Sequence, residues 1–376
     1  MKIIVYLCKL MAGVYIHIPF CKKRCSYCDF FSSTEIQRKD KYVDNLCEEL
    51  IERKSYLQEP VETIYFGGGT PSLLSAADFE KIFQTLYNIF GERENREITL
   101  EANPDDLSPE YLVSIKHLPF NRFSLGIQSF DDRELKLLNR RHDSQSAIQT
   151  VKLLQQAGYN NISIDLMYGL PDQTMEIWNK NLIQAIDLQI QHISAYHLTY
   201  EDGTPLYKQL KKGDLTSVDE EMSNRFFEIL IDTLTAANFE HYEISNFARP
   251  GFHSRHNSAY WNGTFYLGIG ASAHSYNGFT RQWNNQSISY RASENELEII
   301  DEKTRYNDFI ITRLRTMKGI DLNELASIFD ELQKEYCLQN AQKYISQSLL
   351  VCENNFLRLT RKGIFISDGI MSDLML

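Results

Sequence analysis

Cys21, Cys25 and Cys28 crowd into one short stretch with C-x3-C-x2-C spacing, directly after the apolar run Val14 to His17. A loop of this size can curl around one inorganic cubane, whereas a strand or helix would scatter the sulfurs. Four irons need four ligands, so three local thiolates leave one iron open to an exogenous chelator. An open position likewise separates a catalytic metal site from a closed structural one. A Cys3His zinc site that recruits His17 is the competing arrangement. Against it stand the place of His17 inside an alternating strand and the lack of a second C-x2-C knuckle.

A second candidate is Gly67-Gly68-Gly69-Thr70-Pro71, at the end of the next apolar run. Glycines let the backbone approach a ligand where any Cβ would clash. No Gly-Lys-Ser/Thr follows, so it is not a phosphate loop; a tight turn is the plainer use of the same residues.

The elements that must position these groups form a repeating pattern. Short apolar runs at Val14 to His17, Thr63 to Phe66, Glu97 to Glu101, Arg122 to Ile127, Asn161 to Met167 and His192 to Leu198 alternate with stretches of helical spacing. Examples of the latter are Asp40 to Lys54 and Gln145 to Gly158. Six such units predict a parallel α/β sheet, either an open partial barrel or a doubly wound sheet. Both place ligands at the carboxyl ends of the strands, where Gly67 to Thr70, Glu101, Gln128, Asp165 and His197 fall.

Beyond about residue 303 the texture changes. Tyr306 to Leu314, Leu322 to Ile328 and Cys337 to Leu349 read as three helices. Asn354 and Asn355 read as the turn of a hairpin between Leu349 to Cys352 and Phe356 to Leu359. This predicts a C-terminal α+β, winged-helix-like domain over 303–376. It follows a core over 11–245 and a connecting region over 246–302, with residues 1–10 as an extension and Met11 as an alternative start.

The chain has 376 residues, 43% of them hydrophobic and 24% charged, which suits a folded core. With 39 basic against 50 acidic residues its formal charge is -11, which repels polyanions and argues against nucleic acid as a partner. The apolar stretch Ile3 to Cys8 is far short of the ~20 residues that span a bilayer, so no transmembrane segment is expected. Seven cysteines, three of them clustered, do not form a disulfide framework and point to a reducing cytoplasm.

The cysteine spacing, with aromatic Tyr27 before the last cysteine, resembles the radical S-adenosylmethionine (radical SAM) superfamily. That resemblance implies a partial (β/α)6 barrel carrying a [4Fe-4S] cluster on Cys21, Cys25 and Cys28. It also implies S-adenosylmethionine on the open iron, an electron donor for the cluster, and cofactor contacts from Tyr15, Tyr27, Gly67, Gly68, Gly69, Thr70, Glu101, Gln128, Arg140 and Asp165. Acids suit the donors and positive charge of the cofactor, and Arg140 its carboxylate.

Tyr15 to Cys28, the glycines, Glu101, Gln128 and Asp165 further resemble the subfamily of oxygen-independent coproporphyrinogen III oxidase, from Met11 to the C-terminal segment Leu359 to Asp368. The decarboxylating oxidase usually has a further cysteine two residues after the third and a longer N-terminal region. Here Phe30 stands in the cysteine's place.

His256-Asn257-Ser258-Ala259-Tyr260-Trp261 instead matches the H-N-x-x-Y-W motif of the heme chaperone branch, HemW. That branch implies heme and a heme-acceptor protein, such as a respiratory one, as partners. His256 becomes a candidate axial ligand, with His253 and Cys352 as rivals, and Tyr260 and Trp261 candidate surfaces against a porphyrin. A histidine satisfied by core hydrogen bonds is the plain alternative. Heme delivery is the expected function; oxidative decarboxylation of coproporphyrinogen III is the other.

Overall fold

The computed structural model describes residues 11–376; the expected extension 1–10 and the question of the start lie outside the described residues. The six apolar runs form strands β1 (Ala12–Ile18), β2 (Val61–Gly68), β3 (Glu97–Ala102), β4 (Arg122–Gln128), β5 (Ile162–Tyr168) and β6 (His192–His197). They pair in parallel in the order β1-β2-β3-β4-β5-β6. This order decides between the two architectures, because a doubly wound sheet reverses direction partway whereas a sheet wound one way curls toward a barrel. The result is the partial (β/α)6 barrel, left open.

The strands alternate strictly by face. Val14, Ile16, Ile64, Phe66, Leu100, Phe123, Leu125, Ile162 and Ile164 are buried in one apolar core with the surrounding helices. Those helices include Lys39–Glu52 and Ser144–Gln156, each within two residues of its expected start. Asp143 caps the second through a capping box, which satisfies amide groups that the first helical turn leaves free. The other face is polar: Tyr15, Thr63, Tyr65, Glu97, Glu101 and His192 hydrogen-bond or stack with one another, or with residues of later segments, across the concave side of the sheet.

The region 246–302 feeds both ends of this sheet. After β7 (Glu240–Glu243), β8 (Asn246–Ala248) pairs antiparallel with β6. β9 (Phe265–Ile269) pairs parallel with β1, and β10 (His274–Tyr276), β11 (Thr280–Trp283) and β12 (Glu296–Ile299) continue outward to give a 12-stranded sheet.

The C-terminal part carries helices Glu302–Leu314, Leu322–Ile328 and Glu331–Ser346. A small sheet of β13 (Ile320–Asp321), β14 (Leu350–Glu353) and β15 (Phe356–Leu359) packs with them. Asn354 (φ 51°) and Asn355 (φ 64°) turn the hairpin, both left-handed as a two-residue turn of the primed type demands. No described helix is long and apolar enough to cross a membrane.

Candidate functional site

The cysteines lie on the loop that leaves β1, and the loop is fastened at its neck and its tip. Cys21 N donates to Ser33 O and Ser33 N to Pro19 O, closing the neck at 2.9 and 2.7 Å. At the tip, Ser26 Oγ donates to Leu137 O at 2.9 Å and Asn139 Nδ2 to Arg24 O at 2.8 Å. Beneath, Tyr27 packs on a separate apolar cluster of Leu138, Met167, Leu170, Leu198 and Leu206. The backbone around the thiols is thus set by the barrel's carboxyl edge.

His17 is part of that fastening. Its Nε2 lies 3.1 Å from Phe31 O and its Nδ1 3.1 Å from Tyr15 Oη. Burial pulls its pKa down to about 4. Both nitrogens are therefore engaged, which removes the fourth ligand that a Cys3His zinc site would need. Among the described residues no three His, Cys, Asp or Glu side chains are close enough to hold a single metal ion. A cubane spreads its sulfurs over several metal atoms, and the donor set of three neighbouring, unpaired thiols fits it. Burial pushes the Cys21 thiol up and that of Cys28 up to about 11.

The three glycines have an immediate packing reason. A Cβ on Gly69 would sit 2.8 Å from Pro19 C and 2.9 Å from Phe20 O, against the backbone that leads into Cys21. On Gly67 it would meet Tyr15 and Tyr65 at 2.9 Å and Glu101 Oε2 at 3.1 Å; on Gly68 (φ +108°) it would strike the His17 ring at 2.6 Å. The glycines let β2 come close to the cysteine loop and keep the space beside Glu101 clear.

Around that space stand the other expected residues. Glu101 accepts from Tyr65 Oη at 2.6 Å and Gly68 N at 3.1 Å, and burial pushes its carboxyl up to about 7. Asp165, opposite Ser194 in the β5–β6 register, is pushed up to about 6 by burial. Gln128 ends β4 at a bulge with φ 71°, a left-handed conformation that non-glycine residues seldom adopt and that recurs at functional sites. Arg140 Nη1 lies 3.2 Å from Cys25 Sγ, its Nη2 binds Asn103 Oδ1 at 2.5 Å and also Gly126 O, and its buried Nε has no partner among the described residues. Thr70 Oγ1 donates toward Cys21 Sγ at 3.6 Å and accepts from Asn103 Nδ2 at 3.1 Å. Asn103, absent from the sequence expectation, thus joins Thr70 to Arg140; an Asn before Pro104 reads only as a turn.

The H-N-x-x-Y-W motif is placed elsewhere. Its helix, Arg255–Trp261, covers the amino ends of the strands, where the Arg255 and His256 amides donate to Glu97. His256 is 2% exposed; its Nδ1 is 2.8 Å from Thr63 Oγ1 and its Nε2 3.0 Å from Tyr260 Oη. Its ring stacks on Tyr65 at 4.9 Å, and burial pulls its pKa down to about 3. An axial role for His256 would require breaking one of these bonds, since both nitrogens are bonded to hydroxyls inside the barrel. Tyr260 packs edge-on to Tyr266 at 4.8 Å, and Trp261 lies under the Arg315 guanidinium at 4.9 Å. Of the rivals, His253 pairs with Glu240 at 2.7 Å and Cys352 is exposed on β14.

Comparison with known proteins adds to this geometry. Residues 15–181 match the Radical SAM superfamily and residues 300–366 the HemN C-terminal domain. The chain is 33% identical over 371 residues to the heme chaperone HemW of Lactococcus lactis, covering 97% of each chain. It is 38% identical over 277 residues to the heme chaperone HemW of Bacillus subtilis, covering 73% of each. In structure it is similar to coproporphyrinogen III oxidase (HemN) from Escherichia coli, a radical SAM enzyme, with a TM-score of 0.84 over 98% of this chain and 90% of that one. At 23% identity that likeness speaks for the fold alone.

Proposed function

From the premise that this chain belongs to the HemW family of the radical SAM superfamily, we propose that it is a heme chaperone, which binds heme and passes it to an acceptor protein. In this reading Cys21, Cys25 and Cys28 hold a [4Fe-4S] cluster. S-adenosylmethionine would be held at the carboxyl edge, with Arg140 available to its carboxylate and Glu101, Asp165 and Gln128 to its hydrogen-bond donors. When bound, the cluster can supply single electrons to the sulfonium of S-adenosylmethionine. The chain's own residues orient the cofactor: Gly67 to Thr70 leave room for it, and Tyr27 closes the apolar side under the loop.

One observation carries the reading, the likeness to HemW over 97% of the chain. Phe30 agrees with it, standing exposed where the oxidase subfamily has its extra cysteine. The acceptor is proposed to be a respiratory heme protein, the electron donor a reduced protein partner, and the setting the cytoplasm, consistent with cysteines that are free in the described structure.

The test is anaerobic reconstitution with iron and sulfide, expected to load about four of each per chain, followed by heme titration. Heme uptake with a Soret shift and release to an apo heme protein are expected. Conversion of coproporphyrinogen III propionates to vinyl groups by the loaded protein with S-adenosylmethionine and a reductant would instead establish the oxidase.

A further inference from the structure

The concave face of the barrel holds a cation that the cofactor assignments leave unused. Arg122 opens β4, is 1% exposed, and has two donors, Nε and Nη1, without a partner among the described residues. In the β3–β4 register it stands beside Thr99, whose buried hydroxyl is also unpartnered, and one step below the pair Glu101 and Ser124. Asp165 lies across from Gly126, further up the same face. A guanidinium removed from water and not forked onto a carboxylate persists only where surrounding negative charge offsets its desolvation. Two carboxyls on this face do so, Glu101 and Asp165.

We propose that Arg122 is a positioning residue acting through charge: a fixed cation in the barrel interior that keeps Glu101 and Asp165 ionised, and so able to accept from a cationic nucleoside ligand at the mouth. The inference rests on the reading of Glu101 and Asp165 as contacts of S-adenosylmethionine, which carries one net positive charge. Burial drives both carboxyls upward, to about 7 and about 6, and Arg122 opposes the rise in each.

The other groups facing this pair leave Arg122 as the interior's standing positive charge. Tyr15, Tyr65, Tyr196 and Tyr260 are pushed up by burial and stay neutral. His17, His192 and His256 are pulled down by burial and carry no charge at neutral pH. Arg140 also favours the charged form of Asp165, but it sits at the mouth against Cys25.

The experiment measures S-adenosylmethionine affinity of the full-length, cluster-loaded chain from about pH 5.5 to about pH 9. In the wild type, affinity is expected to rise as Glu101 and Asp165 ionise. In Arg122→Met the rise should move up by roughly one pH unit or more, giving about tenfold weaker binding near neutrality that recovers at high pH. Arg122→Lys should restore the wild-type profile. A Met variant weaker by the same factor at every pH, with an unmoved midpoint, overturns the proposal in favour of plain packing. Should the Met variant not fold, carboxyl 13C NMR of Arg122→Gln beside the wild-type chain decides, with signals assigned through Glu101→Gln and Asp165→Asn. Glu101 and Asp165 titrating higher in Arg122→Gln than in the wild type upholds the proposal; unmoved midpoints overturn it. Absence of S-adenosylmethionine binding by the wild type at any pH sinks the functional reading instead, and the NMR titration still judges Arg122.

Discussion

Arg140 Nη1 lies 3.2 Å from Cys25 Sγ, and the same guanidinium binds Asn103 Oδ1 at 2.5 Å. Asn103 donates to Thr70, and Thr70 donates toward Cys21 Sγ. The first and second cysteines of the loop are therefore linked through side chains that follow β2, β3 and β4, so the cofactor face and the thiols share one scaffold. Planar forks fix direction in a way an ammonium cannot.

Arg140→Lys keeps the charge and loses the fork. S-adenosylmethionine affinity is expected to fall about tenfold, the weight of one charge-assisted hydrogen bond, while iron content per chain stays at the wild-type level. Anaerobic equilibrium dialysis and an iron assay on the same samples check both halves. Unchanged affinity would remove Arg140 from the binding face.

Gly69→Ala tests whether the glycine run serves the loop. The new Cβ would press on the Pro19–Phe20 backbone at 2.8 to 2.9 Å, and backbone does not yield as a flexible side chain does. The neck must shift, and iron loading should drop to less than about half, since clashes of this kind cost about 1–3 kcal/mol. Gly369→Ala is the control: like Gly69 it has no positive φ, but its Cβ would meet nothing within 4 Å, so loading there should be unchanged.

Much of this was legible in the residues because the six parallel strands are long enough to show a period and polar residues or glycines stand at or just past most of their carboxyl ends. Tyr15, Glu101, Gln128 and Asp165 could be placed at or near one edge for that reason. The strands β8 and β10 hold only three residues each, too few for any period, so the way residues 246–302 extend the sheet at both ends was invisible. Arg122 reads along the chain as the polar start of an apolar run; that it is buried depends on the curl of the whole sheet. The H-N-x-x-Y-W motif was visible as a motif but its place was not, because sequence spacing does not reveal which groups bond a ring nitrogen.

His256 gives a pH prediction. Its folded pKa is about 3, below the ordinary value of about 6.5. The unfolded chain therefore binds the proton first as pH falls. The stability this residue contributes is complete above about pH 6.5 and declines as pH drops toward 3. His256→Ala should lower stability by about 2–4 kcal/mol through the lost stacking and hydrogen bonds and should shrink the difference in urea midpoint between about pH 5 and pH 8. The Soret position of the heme complex should not change; a shift would restore His256 as an axial ligand.

Trp261 supplies the last prediction. Its carbonyl accepts from Arg313 Nη1, Asn262 O accepts from Arg313 Nη2 at 3.0 Å, and Glu324 Oε1 binds the same guanidinium at 2.7 Å. With Arg315 stacked over the indole, the end of the motif helix is tied to the first two helices of the C-terminal part. A cation–π contact of this kind contributes about 0.5–2 kcal/mol, enough to bias docking without deciding the fold of either part. Trp261→Ala should therefore speed amide exchange in the helix Glu302–Leu314 and leave β1 to β6 protected, with iron loading intact. If exchange rose equally in the barrel strands, Trp261 would belong to the core of the barrel and not to its contact with the C-terminal helices.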